Sequence, residues 1–443
     1  MSHDDVLSRL IDRAKASGAD ACDAWVVERA SLSVSTRLGV FEGLEREETR
    51  TASVRILIGQ RQAAASGSDL RPEALDALAG RVAEMARVAS PDPWAGLADP
   101  ERLARVTPDL GLADDGEPTA DQLEDLARAA EDAGRAVLGV TNSGGSSAYA
   151  ARTQSSFATS HGFRGRFETT IRGFGLSLIA EREGAKERDY DGDAMRRWSD
   201  LQGPEAVGRS AGERTVARLG AVKIESRKAP VIFESRVARR LIGAFAGAIS
   251  GAAVARGVSF LREKRGERVF APGVTVVDDP LVPGGIGSHP FDGEGVACAP
   301  LKLIDDGVLT SWLLNSAAAR QLGMATTGHA SAGVGAPPGL GPSNLWLMPG
   351  PRDLAGLMAD AGEGLLVTEM FSPSLNPTNG DYSVGIAGHW FASGAKVHPV
   401  HEVTVAGNLV DIFARLVPGA DLERRHGVDS PSILVDDLAI AGR

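Results

Sequence analysis

The alternation of hydrophobic and polar residues predicts two similar groups of elements in the first half of the chain. Apolar residues at helical spacing open the first group, and alternating runs around Val34 and Val54 predict the strands that follow. A helix beginning at Pro72 closes this group. A second helix–strands–helix series follows, and its last helix is predicted over Pro204–Val222.

The pattern changes after Lys228–Pro230. Val231–Phe233 is typical of a buried strand, and residues 235–249 place their apolar side chains on one side of a helix. Short strands separated by turns are then predicted at Gly273–Asp278, Gly307–Leu314, Gly364–Met370, Tyr382–Phe391 and Val397–Ala406. Because these strands follow one another without intervening helices, we predict an α+β fold with a large, mostly antiparallel C-terminal sheet.

These changes divide the chain into three predicted parts. Residues 1–110 form an N-terminal α+β subdomain, residues 115–222 a second helix–strand subdomain, and residues 228–443 a mostly antiparallel β domain that contains the helix 235–249. The length of 443 residues agrees with this division, since it exceeds what one ordinary hydrophobic core spans.

The charge balance argues against a nucleic-acid partner. The chain has 47 Lys and Arg against 58 Asp and Glu, a net charge of −11, whereas duplex binding requires a basic face. Two short basic clusters interrupt this balance, and we expect both to be solvated helix or loop faces: Arg236, Arg239 and Arg240, and Arg262, Lys264 and Arg265.

Cysteine usage and hydropathy predict a cytoplasmic protein. The two cysteines, Cys22 and Cys298, lie far apart in the sequence and suggest no disulfide framework. The N-terminus lacks the pattern of a signal peptide, and no apolar run is long enough to span a membrane. We therefore expect no membrane association.

The eight histidines do not form a recognisable zinc motif. No His-Glu-x-x-His is present, and the closest pair is His398 and His401, followed by Glu402. The flanking residues are typical of a strand, on which residues three apart face opposite sides. We regard a metal site at this pair as the weaker interpretation and two strand or surface histidines as the stronger one.

Several segments then resemble one family in order and spacing. The resemblance is to the TldD/PmbA metallopeptidases, also described as modulators of DNA gyrase, and its segments are Ser288–Gly295, Leu303–Leu309, Trp312–Gly323, Thr327–Ala330, Asn376–Ser383 and Glu402–Leu409. It extends over the whole chain and is strongest after residue 228.

The resemblance implies a subunit without its own catalytic site. In this family the TldD subunit carries His-Glu-x-x-x-His on a helix and a zinc-binding cysteine near its C-terminus. The matching helix here has Gly243 and Ala248 at the histidine positions and Ala244 at the glutamate position, and no cysteine follows Cys298. The chain is therefore similar to the PmbA/TldE-type subunit, for which we expect no catalytic residue, metal ligand or cofactor in this chain.

The resemblance also implies partners and a substrate class. A TldD-like subunit that holds zinc is the expected heterodimer partner, with a homodimer as the other arrangement, and the substrates are unfolded peptides that the complex degrades or matures. Asn379, Gly380, Asp381 and Ser383 are the candidate peptide-binding residues, since a turn followed by a strand places Asp381 and Ser383 on one face. The simpler interpretation is that Asp381 caps the turn and Gly380 supplies a positive φ.

Two other functions stay open at this point. The chain is an active metallopeptidase if unrecognised ligands such as His398, His401 and Glu402 bind metal. Alternatively, it is a regulatory binding protein that acts on gyrase or on toxin–antitoxin systems. The physiological substrate and cleavage preference leave no signal in the sequence.

Overall fold

The computed structural model describes residues 1–443, and its first half contains four α-helices and six strands. In chain order these are α1 (His3–Ala16), β1 (Ala21–Arg37), β2 (Val40–Ile58), β3 (Arg61–Gly67), α2 (Pro72–Val88), α3 (Ala120–Arg135), β4 (Val140–Thr159), β5 (Arg164–Arg182), β6 (Ala185–Met195) and α4 (Pro204–Ala217). The strands form one sheet in the order β3-β2-β1-β4-β5-β6, and all neighbours are antiparallel.

Local sequence signals set the starts of these helices. The hydroxyl of Ser2 accepts the N–H of Asp5, whose carboxylate accepts the N–H of Ser2 in return. Thr119 and Gln122 make the same reciprocal pair at α3. Each pair satisfies N–H groups that the first helical turn leaves without partners. The helices α2 and α4 instead begin with proline in the first turn.

The helix predicted over Pro204–Val222 ends earlier, at Ala217. Gly220 adopts a φ of +79°, the left-handed conformation that terminates many helices. Leu219 continues the apolar spacing beyond this point, which is why the pattern predicted a longer helix.

The two N-terminal units meet along β1 and β4. These strands pair from Asp23 opposite Thr159 to Thr36 opposite Ser146, so the units share one continuous sheet. Val26 packs with α1 and α2, and Val34 packs with α3 and α4. Because the two valines are eight positions apart on one strand, an even spacing, both helix pairs cover the same face of the sheet.

The second half contains a large and a small sheet with five helices. Its elements are β7 (Arg227–Phe233), α5 (Ser235–Ala248), α6 (Gly251–Ala255), β8 (Val276–Asp278), β9 (Leu301–Asp305), β10 (Val308–Leu309), α7 (Ser316–Gln321), β11 (Ala330–Ser331), β12 (Gly339–Leu340), β13 (Leu345–Leu347), α8 (Leu354–Ala361), β14 (Glu363–Leu375), β15 (Asp381–Ala392), β16 (Ala395–Asn408), α9 (Leu409–Arg415), β17 (Val417–Pro418), β18 (Val428–Asp429) and β19 (Ile433–Ala441).

The large sheet confirms the predicted α+β fold. Its order is β16-β15-β14-β7-β19-β17, and only the β14–β7 pair is parallel. An additional pairing of β16 with β19 makes the sheet curl back on itself. The small sheet runs β10-β9-β8-β13-β18, and β11 pairs with β12 in a separate ribbon. None of the helices in either half combines the length and the apolar character that crossing a bilayer requires.

The helix α5 is anchored in the main hydrophobic core of this half. Val237, Leu241 and Phe245 belong to a cluster of 40 buried residues. Phe245 meets Phe270 and Phe413 edge to face, with ring centroids 5.1 and 6.0 Å away. One side of α5 is therefore held by tight aromatic and aliphatic packing, which fixes the direction of the opposite side.

The strand predicted over Gly307–Leu314 is largely absent, since only Val308–Leu309 pairs in a sheet. The N–H of Leu313 instead donates to the carbonyl of Ile249 (3.0 Å), and the N–H of Gly251 donates to the carbonyl of Leu313 (2.8 Å). The segment leaves the sheet because its backbone bonds to the residues just beyond α5.

An aromatic cluster joins the two halves. Trp25 and Phe157 project from the N-terminal sheet on the face opposite α1, and their rings stack at 4.5 Å. Phe291, from the C-terminal half, lies 6.5 Å from Trp25 and 5.3 Å from Phe163. All four residues are buried, so the N-terminal sheet packs directly on the C-terminal half.

Candidate functional site

The helix α5 presents a bare face to open space. Gly243 and Ala244 are half-buried and Gly247 is exposed. A Cβ atom added at Gly243 or Gly247 meets nothing within 4 Å. Ala248 differs, since it is only 7% exposed and belongs to the core. Of the three positions matched to the family's zinc ligands and base, Gly243 thus borders open space, Ala244 is half-buried against the core, and Ala248 is enclosed.

This face provides shape and backbone but no reactive group. Hydrogen and methyl side chains neither coordinate a metal nor transfer a proton. Across the whole chain, no group of three or more His, Cys, Asp or Glu side chains is placed to hold a metal ion.

The alternative ligands on β16 do not converge. The Nδ1 atom of His398 lies 3.3 Å from the carbonyl of Pro399, whereas Nδ1 of His401 lies 3.6 Å from a carboxylate oxygen of Glu187. Glu402 adopts a φ of +52° where the register of β16 with β15 shifts. The histidines lie on a strand, as predicted, and each has its own separate neighbour.

The predicted peptide-binding residues form the turn between β14 and β15. The N–H of Asp381 donates to Oδ1 of Asn379 (3.1 Å), and the amide of Asn379 donates to Oδ2 of Asp381 (2.7 Å). Gly380 has the expected positive φ, +85°. Ser383 is half-buried on β15, two residues beyond the exposed Asp381. The turn brings all four residues together, and Asp381 and Gly380 also stabilise its geometry.

Asn408 completes this turn and was assigned no role from the sequence. Its amide nitrogen donates to Oδ1 of Asp381 (3.0 Å) and to the carbonyl of Asn379 (2.9 Å). Its amide oxygen accepts the N–H of Val410 and caps α9. An asparagine directly before a short apolar helix is the signal that predicts such a cap.

The turn is connected to the C-terminal end of α5. The hydroxyl of Ser259 donates to the carbonyl of Ala248. The N–H of the next residue, Phe260, donates to the carbonyl of Pro377 (2.8 Å). Ser259 and Ala248 are buried, so this connection runs beneath the surface and fixes the position of the turn relative to the end of α5.

The segment Ser288–Gly295 is part of a buried hydrogen-bond network. Asp292 is 1% exposed and accepts the N–H groups of Glu294 (2.9 Å) and Ala330 (3.1 Å). Glu294 accepts the N–H of Ser316 (2.8 Å). Three of the segments that carry the family resemblance therefore converge here, at the base of the aromatic cluster.

Burial is the main cause of the pKa shifts in this network. It raises the pKa of Asp292 to about 7, and the neighbouring carboxyl of Glu294 acts in the same direction. Burial raises the pKa of Glu294 as well. Both side chains are bonded to backbone groups and closed off from solvent, so we assign them a structural role. Their sequence signal was a pair of acids two residues apart, directly after Phe291 and among glycines.

The first basic cluster departs from the predicted solvated face. The side chain of Arg236 is only 14% exposed and pairs with Asp189 at 2.9 Å. Arg240 is exposed and donates to the carbonyl of Met370 (2.7 Å). The second cluster is largely exposed, as expected for a solvated loop: Arg262, Lys264 and Arg265.

The fold and the motifs define a two-part α+β protein. Its long N-terminal antiparallel sheet packs on a C-terminal β domain, which contains the helix α5 with its bare face. Three descriptions of PmbA/TldA metallopeptidase domains match the chain in order: domain 1 over residues 22–86, the central domain over residues 113–219 and the C-terminal domain over residues 226–442. The chain belongs to the PmbA/TldD metallopeptidase family.

Individual relatives match over nearly the full length. Metalloprotease PmbA of Escherichia coli O157:H7 is 37% identical over 432 residues, covering 97% of this chain and 94% of the relative. The PmbA homolog of Haemophilus influenzae is 33% identical over 441 residues, covering 98% and 95%.

Solved structures share the fold. TldE from Thermococcus kodakarensis superimposes with a TM-score of 0.86 at 20% identity, covering 98% of this chain and 99% of that one. A proposed modulator of DNA gyrase from Bacteroides thetaiotaomicron gives 0.92 at 24% identity, covering 99% of both chains.

Proposed function

We propose that this chain is the non-catalytic, TldE-type subunit of a heterodimeric zinc peptidase. The observation that carries the proposal is the bare face of α5: Gly243 and Gly247 border open space, and neither Gly243 nor Ala244 has a side chain that could bind zinc or act as a general base. The catalytic zinc then belongs to a TldD-like partner. The likeness to the fold of TldE from Thermococcus kodakarensis supports this assignment.

The alternatives have less support. The separate neighbours of His398 and His401 disfavour a metal site of the chain's own. The net charge of −11 disfavours action through DNA contact. The unpaired cysteines, Cys22 and Cys298, are in keeping with a cytoplasmic location.

We further propose that the substrates are unfolded peptides and that the turn Asn376–Ser383 helps to position them. An extended peptide is held through main-chain hydrogen bonds and requires little of its side-chain sequence. The exposed Asp381 and the half-buried Ser383 belong to the turn that Phe260 joins to the end of α5, and in this proposal a peptide passes there between the two subunits.

The decisive experiment combines metal analysis with assembly. The chain and its cognate TldD-like protein are purified separately and as a complex, and zinc and cleavage of an unfolded peptide are measured for each. We expect zinc and chelator-sensitive activity in the complex and neither in this chain alone. Near-equimolar zinc in the isolated chain, with peptide cleavage lost on adding chelator, would overturn the proposal.

A further inference from the structure

A polar cavity lies beside the start of α5 and is separate from the turn proposed above to position peptides. Its volume is about 310 Å³, and β6, α4, α5 and the segment before β19 enclose it. Four arginines line it: Arg214, Arg236, Arg239 and Arg425. A cavity of this size holds several water molecules or one small polar group, and the bonds of each arginine decide whether its charge is free for a ligand.

Carboxylates of the protein neutralise three of these arginines. Arg214 pairs with Glu234 at 2.9 Å. Arg236 pairs with Asp189, also at 2.9 Å. Arg425 makes a two-pronged contact with both carboxylate oxygens of Asp193. Each of these three charges is already matched by a carboxylate, so these side chains attract a further anion less than an unpaired arginine does.

Arg239 is different, because it makes no ion pair in the structure. Its Nε donates to the carbonyl of Arg236 (3.1 Å), and its two Nη groups have no protein acceptor. Burial lowers the pKa of Arg239, which shows that the charge is partly removed from water without full compensation. The carboxylate of the buried Asp429 nearby is hydrogen-bonded to His426 instead, through the backbone N–H (3.0 Å) and the ring Nδ1 (3.1 Å).

The start of α5 adds positive potential to the same cavity. This 14-residue helix has no acidic residue in its first turn and no side-chain hydrogen bond at its N-cap, Glu234. Ser235 and Arg236, its first two residues, line the cavity. The carboxylate of Glu234 at the N-cap offsets part of this potential, and the N–H of Ser235 already donates to the hydroxyl of Ser432 (3.1 Å), so the unpaired guanidinium of Arg239 is the main feature that attracts an anion. Asp191 and the exposed Glu423 also line the cavity, and their carboxylates weaken its attraction for an anion away from Arg239.

We propose that this cavity binds a carboxylate group of a peptide, with Arg239 as the principal donor. Arg239 precedes Gly243 by one helical turn, about 6 Å along the axis, so a peptide lying along the bare face of α5 reaches the cavity with its end or with a side chain. The carboxylate belongs either to the chain terminus or to an Asp or Glu side chain. The identity of the ligand as a peptide rests on the function proposed above.

Direct binding to the isolated full-length chain tests this inference. The probes are four labelled, unstructured decapeptides of Gly, Ala and Ser: one with a free C-terminal carboxylate, its C-terminal amide, and two amidated versions with one internal Glu or Gln. Fluorescence anisotropy gives the affinity of each. We expect at least one carboxylate-bearing peptide to bind about 10- to 100-fold more tightly than its neutral counterpart. Preference for the free terminus or for Glu identifies the source of the carboxylate.

Variants then attribute the preference to the cavity. Arg239→Gln should reduce the difference to about twofold or less, whereas Arg240→Gln, on the same helix but outside the cavity lining, should preserve it. Equal binding of charged and neutral peptides, absence of binding by all four, or a preference that survives Arg239→Gln refutes the inference. If Arg239→Gln fails to fold, the comparison of peptides on the unmodified chain still decides. Neither zinc nor a partner enters this assay, so its failure is distinct from failure of the proposed heterodimer.

Discussion

The side chain of Asn408 donates a hydrogen bond to Asp381 across 3.0 Å, joining two segments that are remote in sequence. The same amide group bonds the carbonyl of Asn379 and caps α9 through the N–H of Val410. One side chain therefore fixes both the peptide-binding turn and the first turn of a helix. This connection ties the turn to the β domain.

Substituting Asn408 should loosen this corner. For Asn408→Ala we expect a loss of about 1–2 kcal/mol in the free energy of unfolding, since a helix cap and two hydrogen bonds disappear together. Urea denaturation measures the change. Gln60→Ala serves as control because the Gln60 side chain is exposed and makes no hydrogen bond. Equal stability of the two variants would show that the corner does not depend on Asn408.

On the bare face of α5 we expect a substitution to raise stability instead of lowering it. Glycine inside a helix costs about 0.5–1 kcal/mol relative to alanine, and a Cβ added at Gly243 meets only open space. Gly243→Ala should therefore stabilise the isolated chain by about that amount in urea denaturation. Gly208→Ala on α4 is the matched control with the reverse sign, because its Cβ would collide with the carbonyl of Ala130. Destabilisation by Gly243→Ala would mean that the face of α5 is covered.

The sequence predicted those features that depend on neighbouring residues. The start of α1 follows from Ser2 and Asp5, three residues apart, and the span of α5 follows from apolar spacing within one segment. The end of α4 was missed because Gly220 terminates the helix while apolar spacing continues.

Features that depend on long-range contacts could not be predicted from the sequence. The pairing of Thr404 with Ala441, which makes the large sheet curl back, joins strands that the local pattern treats as independent. Likewise, nothing near Asp292 in the sequence indicates that the N–H of Ala330 satisfies its carboxylate. At the site, the residue types were readable, but the link between Asn408 and Asp381 was not.

The buried carboxyl of Asp292 gives a pH dependence. Its pKa rises from the ordinary 3.8 to about 7 in the fold, so between those values the native state holds more protons than the unfolded state. Stability from this group is therefore lost as pH rises through that window. Between about pH 5 and about pH 8 we expect the unmodified chain to lose on the order of 1–3 kcal/mol relative to Asp292→Asn, measured by urea denaturation.

The comparison requires a carboxyl that titrates elsewhere. The N–H of Gly273 donates to the carboxylate of Asp306 and lowers its pKa. This carboxylate is therefore ionised in the folded and the unfolded chain between about pH 5 and about pH 8. Asp306→Asn should consequently leave the pH dependence of stability unchanged. If Asp292→Asn and the unmodified chain show parallel curves over the range, Asp292 does not titrate there.

The remaining prediction concerns the role of the turn in peptide cleavage by the complex with a TldD-like partner. Ser383 is the informative residue, because its hydroxyl makes no hydrogen bond within the protein and its loss should leave the turn intact. If the hydroxyl bonds substrate, Ser383→Ala should lower peptide turnover about two- to tenfold, the effect of one hydrogen bond. Zinc content, dimer formation and melting temperature should not change. Thr378→Ala, in the same turn, should be without effect.

Asp381 requires a paired comparison, because its carboxylate also supports the turn. Asp381→Ala removes both the carboxylate and the bond to Asn408, whereas Asn408→Ala breaks that bond and leaves the carboxylate in place. If the carboxylate of Asp381 contacts the substrate directly, peptide turnover should fall much further in Asp381→Ala than in Asn408→Ala when both complexes contain the same amount of zinc. A purely structural turn predicts that both variants lose activity in proportion to their lost stability. In that case, with Ser383→Ala fully active, the peptide is positioned elsewhere, and the four residues serve only to shape the corner between β14 and β15.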